Sequence, residues 1–293
     1  MSNSVLFDFS DGKGMVPAAP HPNGGGMVAS TATVDPGVFV ASNARVFGGA
    51  KVSGAVKILD RATVCDHAEV SHRAEISNNA MIAGRAKVGG DAQVYGHAIV
   101  HGSAIVNSRS KVYGNAEVCG QAAFYAEGSV FGDAKVYGHA KVYGRAHVHG
   151  SALVHDHASI CGKAEVYDNT RVCDHAAIFG DSTVRGSCIR GHAKVYDQAM
   201  VEGSTIESHA RICGNARIVG QTINGHARID GTGTPTSTGP LPSTSTTPAQ
   251  ASPETPPQAK KETWSEEVSR KLRERAEARR LDPRFGDSSV WDD

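Results

Sequence analysis

The chain has 293 residues, in which 30 Lys and Arg balance 30 Asp and Glu, alongside 14 His, 6 Cys, 33 Gly and only 6% aromatic residues. Zero formal net charge removes the electrostatic reason to expect nucleic acid or an anionic membrane as partner, since both recruit an excess of Lys and Arg. No apolar run approaches the roughly 18 residues of a membrane span, and Met1 to Ser10 lacks the basic start and apolar stretch of a secretory signal, so the chain is expected in the cytoplasm, or in a virion if a phage encodes it.

Residues 1–27 come before any repeat and are expected to form an N-terminal cap, because a stack of strands leaves an open edge that must be covered. From Val28 to Val184 an apolar residue then recurs at every sixth position without a miss (Val28, Val34, Val40, Val46, Val52, Ile58 and onward). A small residue, usually Ala, stands two places before it, and Gly, Asp or Asn usually stands two places after it. Alternate residues of a strand share a face, so the Ala and the apolar residue point inward and the positions flanking the latter point to water. Gly, Asp and Asn tolerate the left-handed backbone of a tight corner. The apolar step shortens to five between Val184 and Ile189, Val201 and Ile206, and Ile218 and Ile223, and these lesions are seventeen residues apart. One corner trimmed on successive coils accounts for that spacing, so three hexads make one coil. The repeat region, 28–230, is expected to be an all-β, three-sided parallel β-helix of nearly twelve coils, about 55 Å long at ~4.8 Å per strand.

Segments such as Ala134-Lys-Val-Tyr-Gly-His139 resemble the hexapeptide repeat of left-handed parallel β-helix proteins, the bacterial transferase hexapeptide superfamily, over residues 28 to 230. The lead-in Pro20-His-Pro-Asn-Gly-Gly-Gly26 also resembles that of uncharacterised bacterial and phage hexapeptide-repeat proteins. Left-handedness is implied by the resemblance alone. The resemblance also implies three activities to weigh: acyl transfer with a catalytic His and pocket-forming loops, zinc shared by histidines across a trimer face, or neither. No residue is inserted between Val28 and Val184, so no loop can rise to shape a pocket, and no catalytic residue is assigned.

In register, His139, His157, His175, His192, His209 and His226 fall in one corner column, with His67 lower in the same column. Next to it His155-Asp-His157 and Cys173-Asp-His175 occupy adjacent coils. His155, His157, Cys173 and His175 are the candidate metal ligands, a nitrogen and sulfur set that zinc accepts, against the plainer reading of a stacked structural ladder. No other cofactor is expected. Outward aromatics form a second pattern: Tyr95, Tyr113, Phe131, His149 and Tyr167 on one face, and Tyr125, Tyr143, Cys161, Phe179, Tyr196 and Cys213 on another. Stacked rings can simply stabilise neighbouring strands, or they can form an interface, with Tyr95, Tyr113, Phe131 and Tyr167 as the contact residues. Cys65, Cys119 and Cys173 share a column but stand three coils apart, too far for a disulfide, so no intrachain disulfide is expected.

Residues 231–262, crowded with Thr, Ser, Pro and Gly, read as a flexible linker. In 263–293, Thr263-Trp-Ser-Glu266 is a capping-box pattern opening a helix to about Leu281, whose stripe Trp264, Val268 and Leu272 could join subunits or dock a protein, and the chain ends in an acidic aromatic tail. The expected function is a non-catalytic structural rod that presents surface ladders and a tethered helix for assembly, as a homo-oligomer, a trimer by preference. The alternatives are a hexapeptide acyltransferase, or a metal-binding member resembling the γ-class carbonic anhydrases that places a His site between subunits.

Overall fold

The computed structural model describes residues 4–12 and 14–231; the expected linker beyond Gly231 and the helix carrying Trp264, Val268 and Leu272 lie outside the described residues. The repeats form strands mostly two residues long, such as Thr63–Val64 and Met81–Ile82, and each strand pairs in parallel with the one a coil above it. Three sheets result, of 14, 12 and 11 strands, and the parallel part of the stack amounts to between eleven and twelve coils. No helix occurs among the described residues.

Period-2 alternation explains the interior. Ala62 and Val64 both point inward and are buried, as are most of their counterparts, so that one column made chiefly of Ala, Val and Ile runs from Val38 to Ile229, with Val28, Ala32, Val34 and Ile223 partly buried at its ends. Burying each Val or Ile contributes about 1.5–3 kcal/mol before chain entropy is subtracted, and this repeated gain lets such short strands persist. Polar residues inside are satisfied locally: the hydroxyls of Ser110, Thr170 and Ser182 donate to the carbonyls of Asn107, Tyr167 and Phe179 at 2.6, 2.6 and 2.9 Å. Phe124 is accommodated by Gly128 on the neighbouring side of the coil. A Cβ there would meet the Phe124 ring at 3.1 Å and collide with the Ala146 carbonyl oxygen.

The corners obey the expected chemistry. The residue two places after the inward Val or Ile takes positive φ, as at Asp66 (60°), Asn78 (56°) and Asp174 (58°). Asp adds something that Gly cannot supply. Its carboxylate accepts an N–H from the next coil, from Gly84 to Asp66 Oδ2 at 3.1 Å and from Gly191 to Asp174 Oδ2 at 2.8 Å.

The trimmed corners are stacked on one edge of the prism. Where a coil is full, the inward Ala N–H closes the turn on the carbonyl three residues back, as from Ala152 to His149. Where a residue is missing, Ser187 and Ser204 replace Ala and a chain of hydroxyls takes over. The Ser204 N–H donates to Ser187 Oγ at 3.1 Å, the Gln221 N–H donates to Ser204 Oγ at 3.1 Å, and each serine hydroxyl donates to the carbonyl two residues before it at 2.7 Å.

At the start of the stack, strands Val5–Asp8 and Met15–Pro20 form an antiparallel hairpin, and the second of them pairs with Met27–Ala29, the first strand of the repeat. Phe9 is buried and stacks on Phe47 with ring centroids 4.8 Å apart. The lead-in Asn23 to Gly26 closes the first strand of the third sheet, through Val40 N–H to Asn23 O and Gly26 N–H to Val40 O, both 2.9 Å. Gly24 (φ 109°) and Gly26 approach Val40 and Ala41 so closely that a side chain at either would run into backbone carbonyls, which explains the glycine run.

Candidate functional site

Because the coils are in register, each outward position becomes a vertical column, and chemistry arises wherever a column or two adjacent columns carry reactive side chains. The histidine corner is the tallest such column. Six imidazoles, from His139 to His226, stack with centroids 4.8–5.0 Å apart and interplanar angles of 3–16°. Parallel rings at that separation hold corresponding nitrogens well beyond the ~3.4 Å edge of a tetrahedral zinc site.

This geometry divides the sequence-predicted metal set. His157 and His175 belong to the ring stack, whereas His155 and Cys173 turn to the outer face of the first sheet, where their donor atoms and that of Asp156 lie within 4.8 Å of one another. The physical reason is alternation: His155 and Cys173 directly follow inward residues and point out from the sheet, while His157 and His175 sit two places further, past the bend. His155 Nδ1 is 2.9 Å from Asp156 Oδ2, and its ring stacks on Tyr137 at 4.9 Å. Asp156 Oδ2 also accepts the Asp174 N–H at 3.3 Å, so this carboxylate already serves the corner ladder. Burial pushes the Cys173 thiol up to about 11, with Asp174, Cys188 and Asp156 adding to the shift, so at neutral pH it is a thiol rather than a thiolate.

A second group was not singled out from the sequence. His101, Glu117 and Cys119, on the same outer face and three coils earlier, also bring their donor atoms within 4.8 Å of one another. The signal was present: a His in one coil and a Cys at the same position of the next occurs at His101 and Cys119 and again at His155 and Cys173. The expectation that residues flanking the inward position face water fails here. Thr63, Cys65, Met81, Ala83, Ile99, His101, Glu117 and Cys119 all point away from the core and are nevertheless buried.

On the third sheet, Tyr95, Tyr113, Phe131, His149 and Tyr167 form one continuous stack, with centroids 4.6–5.0 Å apart and planes within 7° of parallel. Arg185 ends it, its guanidinium carbon 5.9 Å from the Tyr167 ring centroid. The rings are half-buried, and burial pushes the Tyr95 and Tyr113 phenols up from their ordinary value. The second aromatic pattern is shorter, with Phe179 stacked on Tyr196 at 4.9 Å, while Tyr125 and Tyr143 are exposed. None of the six cysteines forms a disulfide. Cys188, on the coil after Cys173, lies diagonal to it in the register, at the ~7–8 Å expected of diagonal neighbours and beyond disulfide reach.

Residues 92–107 match the family described as the YdcK beta solenoid repeat. They contain strands Gln93–Val94, Ile99–Val100 and Ile105–Val106, one from each of the three sheets, so the match corresponds to a single coil. No curated protein matches the chain. In fold and in repeat, the chain is therefore similar to the hexapeptide-repeat β-solenoids that its sequence resembles.

Proposed function

We propose that the chain is a left-handed β-helical rod without catalytic activity, which assembles side by side with copies of itself, most simply as a trimer, and serves as a structural or accessory protein of a bacterium or its phage. Residues 263–293 are the attachment for a protein partner. The observation that carries this reading is the five-ring stack from Tyr95 to Tyr167, a straight, half-buried aromatic stripe on a sheet whose coils no loop interrupts. Flat aromatic surfaces of this kind favour protein contacts, and an uninterrupted register offers acyl transfer no protruding wall for a donor pocket.

The test is the native mass of the full, untagged chain and of a Tyr113→Ser, Phe131→Ser double variant. A trimer that falls to a monomer in the variant, with the far-ultraviolet circular dichroism unchanged, supports the reading. A wild-type monomer, or an oligomer indifferent to the two substitutions, overturns the aromatic interface. Zinc as a bound ion is a second reading, favoured by the convergence of His155, Asp156 and Cys173; stoichiometric zinc in the purified chain that chelation removes would support it.

A further inference from the structure

We infer that His101, Glu117 and Cys119 form a binding site for a single transition-metal dication, of the zinc or cobalt(II) class, built into the outer face of the first sheet. This inference stands independently of the assembly reading above. His101 follows strand Ile99–Val100, and Glu117 and Cys119 flank Val118 one coil later, so parallel pairing of the two strands brings the three side chains to one spot. Their relative exposures are 3%, 3% and 6%, and His101 Nε2 is 3.0 Å from Glu117 Oε1.

The donor set is what the ion requires. Nitrogen, carboxylate oxygen and thiolate sulfur are all zinc ligands, at about 2.0–2.1, 2.0–2.2 and 2.3 Å, which puts ligand atoms some 3.4–3.6 Å apart around a tetrahedral centre. The His101 to Glu117 separation must open by about 0.4 Å to accept an ion in place of the bridging proton. The sulfur, already within 4.8 Å of both other donors, must close in by at most about 1.2–1.4 Å. Three protein ligands leave a fourth position for water or a small ligand. Binding releases the Cys119 thiol proton, and His101 coordinates through a neutral ring nitrogen.

One further observation favours an ion at this spot. The surrounding Thr63, Met81, Ala83 and Ile99 are themselves buried, a dry shell of the kind that strengthens metal–ligand electrostatics. Lys135 Nζ lies 3.7 Å from Glu117 Oε2 and competes for the carboxylate; its side chain is 38% exposed and can swing into solvent when the ion binds. The His155, Asp156 and Cys173 group repeats the His and Cys step three coils on, but is more exposed and shares its carboxylate with the corner ladder.

The experiment is titration of the full, untagged, reduced chain with cobalt(II), reading the near-ultraviolet thiolate-to-cobalt charge-transfer band, in the wild type and in Cys119→Ser, Glu117→Gln and Cys173→Ser variants, with circular dichroism as the check on folding. The expected result is a saturable band that is lost in Cys119→Ser, weakened at least about tenfold in apparent affinity in Glu117→Gln, and retained in Cys173→Ser. Both Cys119→Ser and Glu117→Gln nearly preserve shape, so if one misfolds the other still reads the site. A chain that gives no band, or a band that survives Cys119→Ser and disappears in Cys173→Ser, overturns the assignment.

Discussion

Phe124 and Gly128 show how a repeat made of nearly interchangeable units can still contain a position with no freedom. Elsewhere the inward column mostly alternates a small residue, usually Ala, with Val or Ile; here a ring fills the interior, and the next inward position gives up its side chain to make room. Gly128→Ala, a conservative change at any other coil, is expected to destabilise the protein by about 1–3 kcal/mol, because the added methyl meets both the Phe124 ring and the Ala146 carbonyl. Chemical denaturation should show a lower midpoint with an unchanged slope, and a Gly128→Ala, Phe124→Val double variant should recover much of the loss. If the single variant is as stable as wild type, the two residues do not compensate one another. The same scale marks where the sequence was mute. Alternation tells which way His101, Glu117 and Cys119 point, but not that the outer face they point to is dry, since exposure depends on what lies beyond the strand rather than on its period. It likewise placed His155 and His157 in one motif, two residues apart, although the bend between them sends one to the sheet and the other to the ring stack.

Among the elements, the corners carried the most readable information, because a turn's backbone angles select residue types directly. The Gly, Asp and Asn positions fall where φ is positive, and the lesions spaced by seventeen residues fall on one stacked edge, a spacing that by itself counts three sides to the coil. The serine relay that repairs this edge was not legible, since Ser187 and Ser204 look in sequence like ordinary substitutions of Ala. Its worth can be measured. Ser204→Ala removes the acceptor of the Gln221 N–H and the donor to the Glu202 carbonyl, at an expected cost of about 1–2 kcal/mol. Native-state hydrogen exchange should quicken at the Gln221 amide, while the Lys194 and Arg211 amides of the second sheet keep their protection. Equal acceleration throughout the coil stack would mean that the relay stabilises the fold globally and has no local role at the corner.

For the repeat unit as a whole, the governing problem is the open edge of each sheet, which a coil of identical units cannot solve from within. Lateral packing of strands is self-complementary: whatever residue pattern allows one coil to receive the next allows a foreign strand to add as well. The two ends of the parallel stack are treated differently. Two of the three last strands, Arg217–Val219 and Arg228–Ile229, present arginines at outward positions, where charge at an edge discourages further pairing, whereas Thr222–Ile223, the last strand of the first sheet, is uncharged. The first strand, Met27–Ala29, carries no charge and is instead occupied by Met15–Pro20 through Ala18, Ala19 and Pro20, with Phe9 packed on Phe47 to fix the hairpin in place. Antiparallel pairing matters here, since the chain reverses without needing a coil of its own, and Pro20 at the end of the strand offers no N–H to extend it. A chain lacking residues 2–20 should therefore fold its coils, with the β-rich circular dichroism retained, yet self-associate through the bared edge into species that grow with concentration. Light scattering behind a sizing column reads this directly. A truncated chain that keeps the native mass of the full one across a hundredfold range of concentration would show that the hairpin is dispensable, and that the glycine-rich turn from Asn23 to Gly26, pressed against Val40, closes the stack by itself.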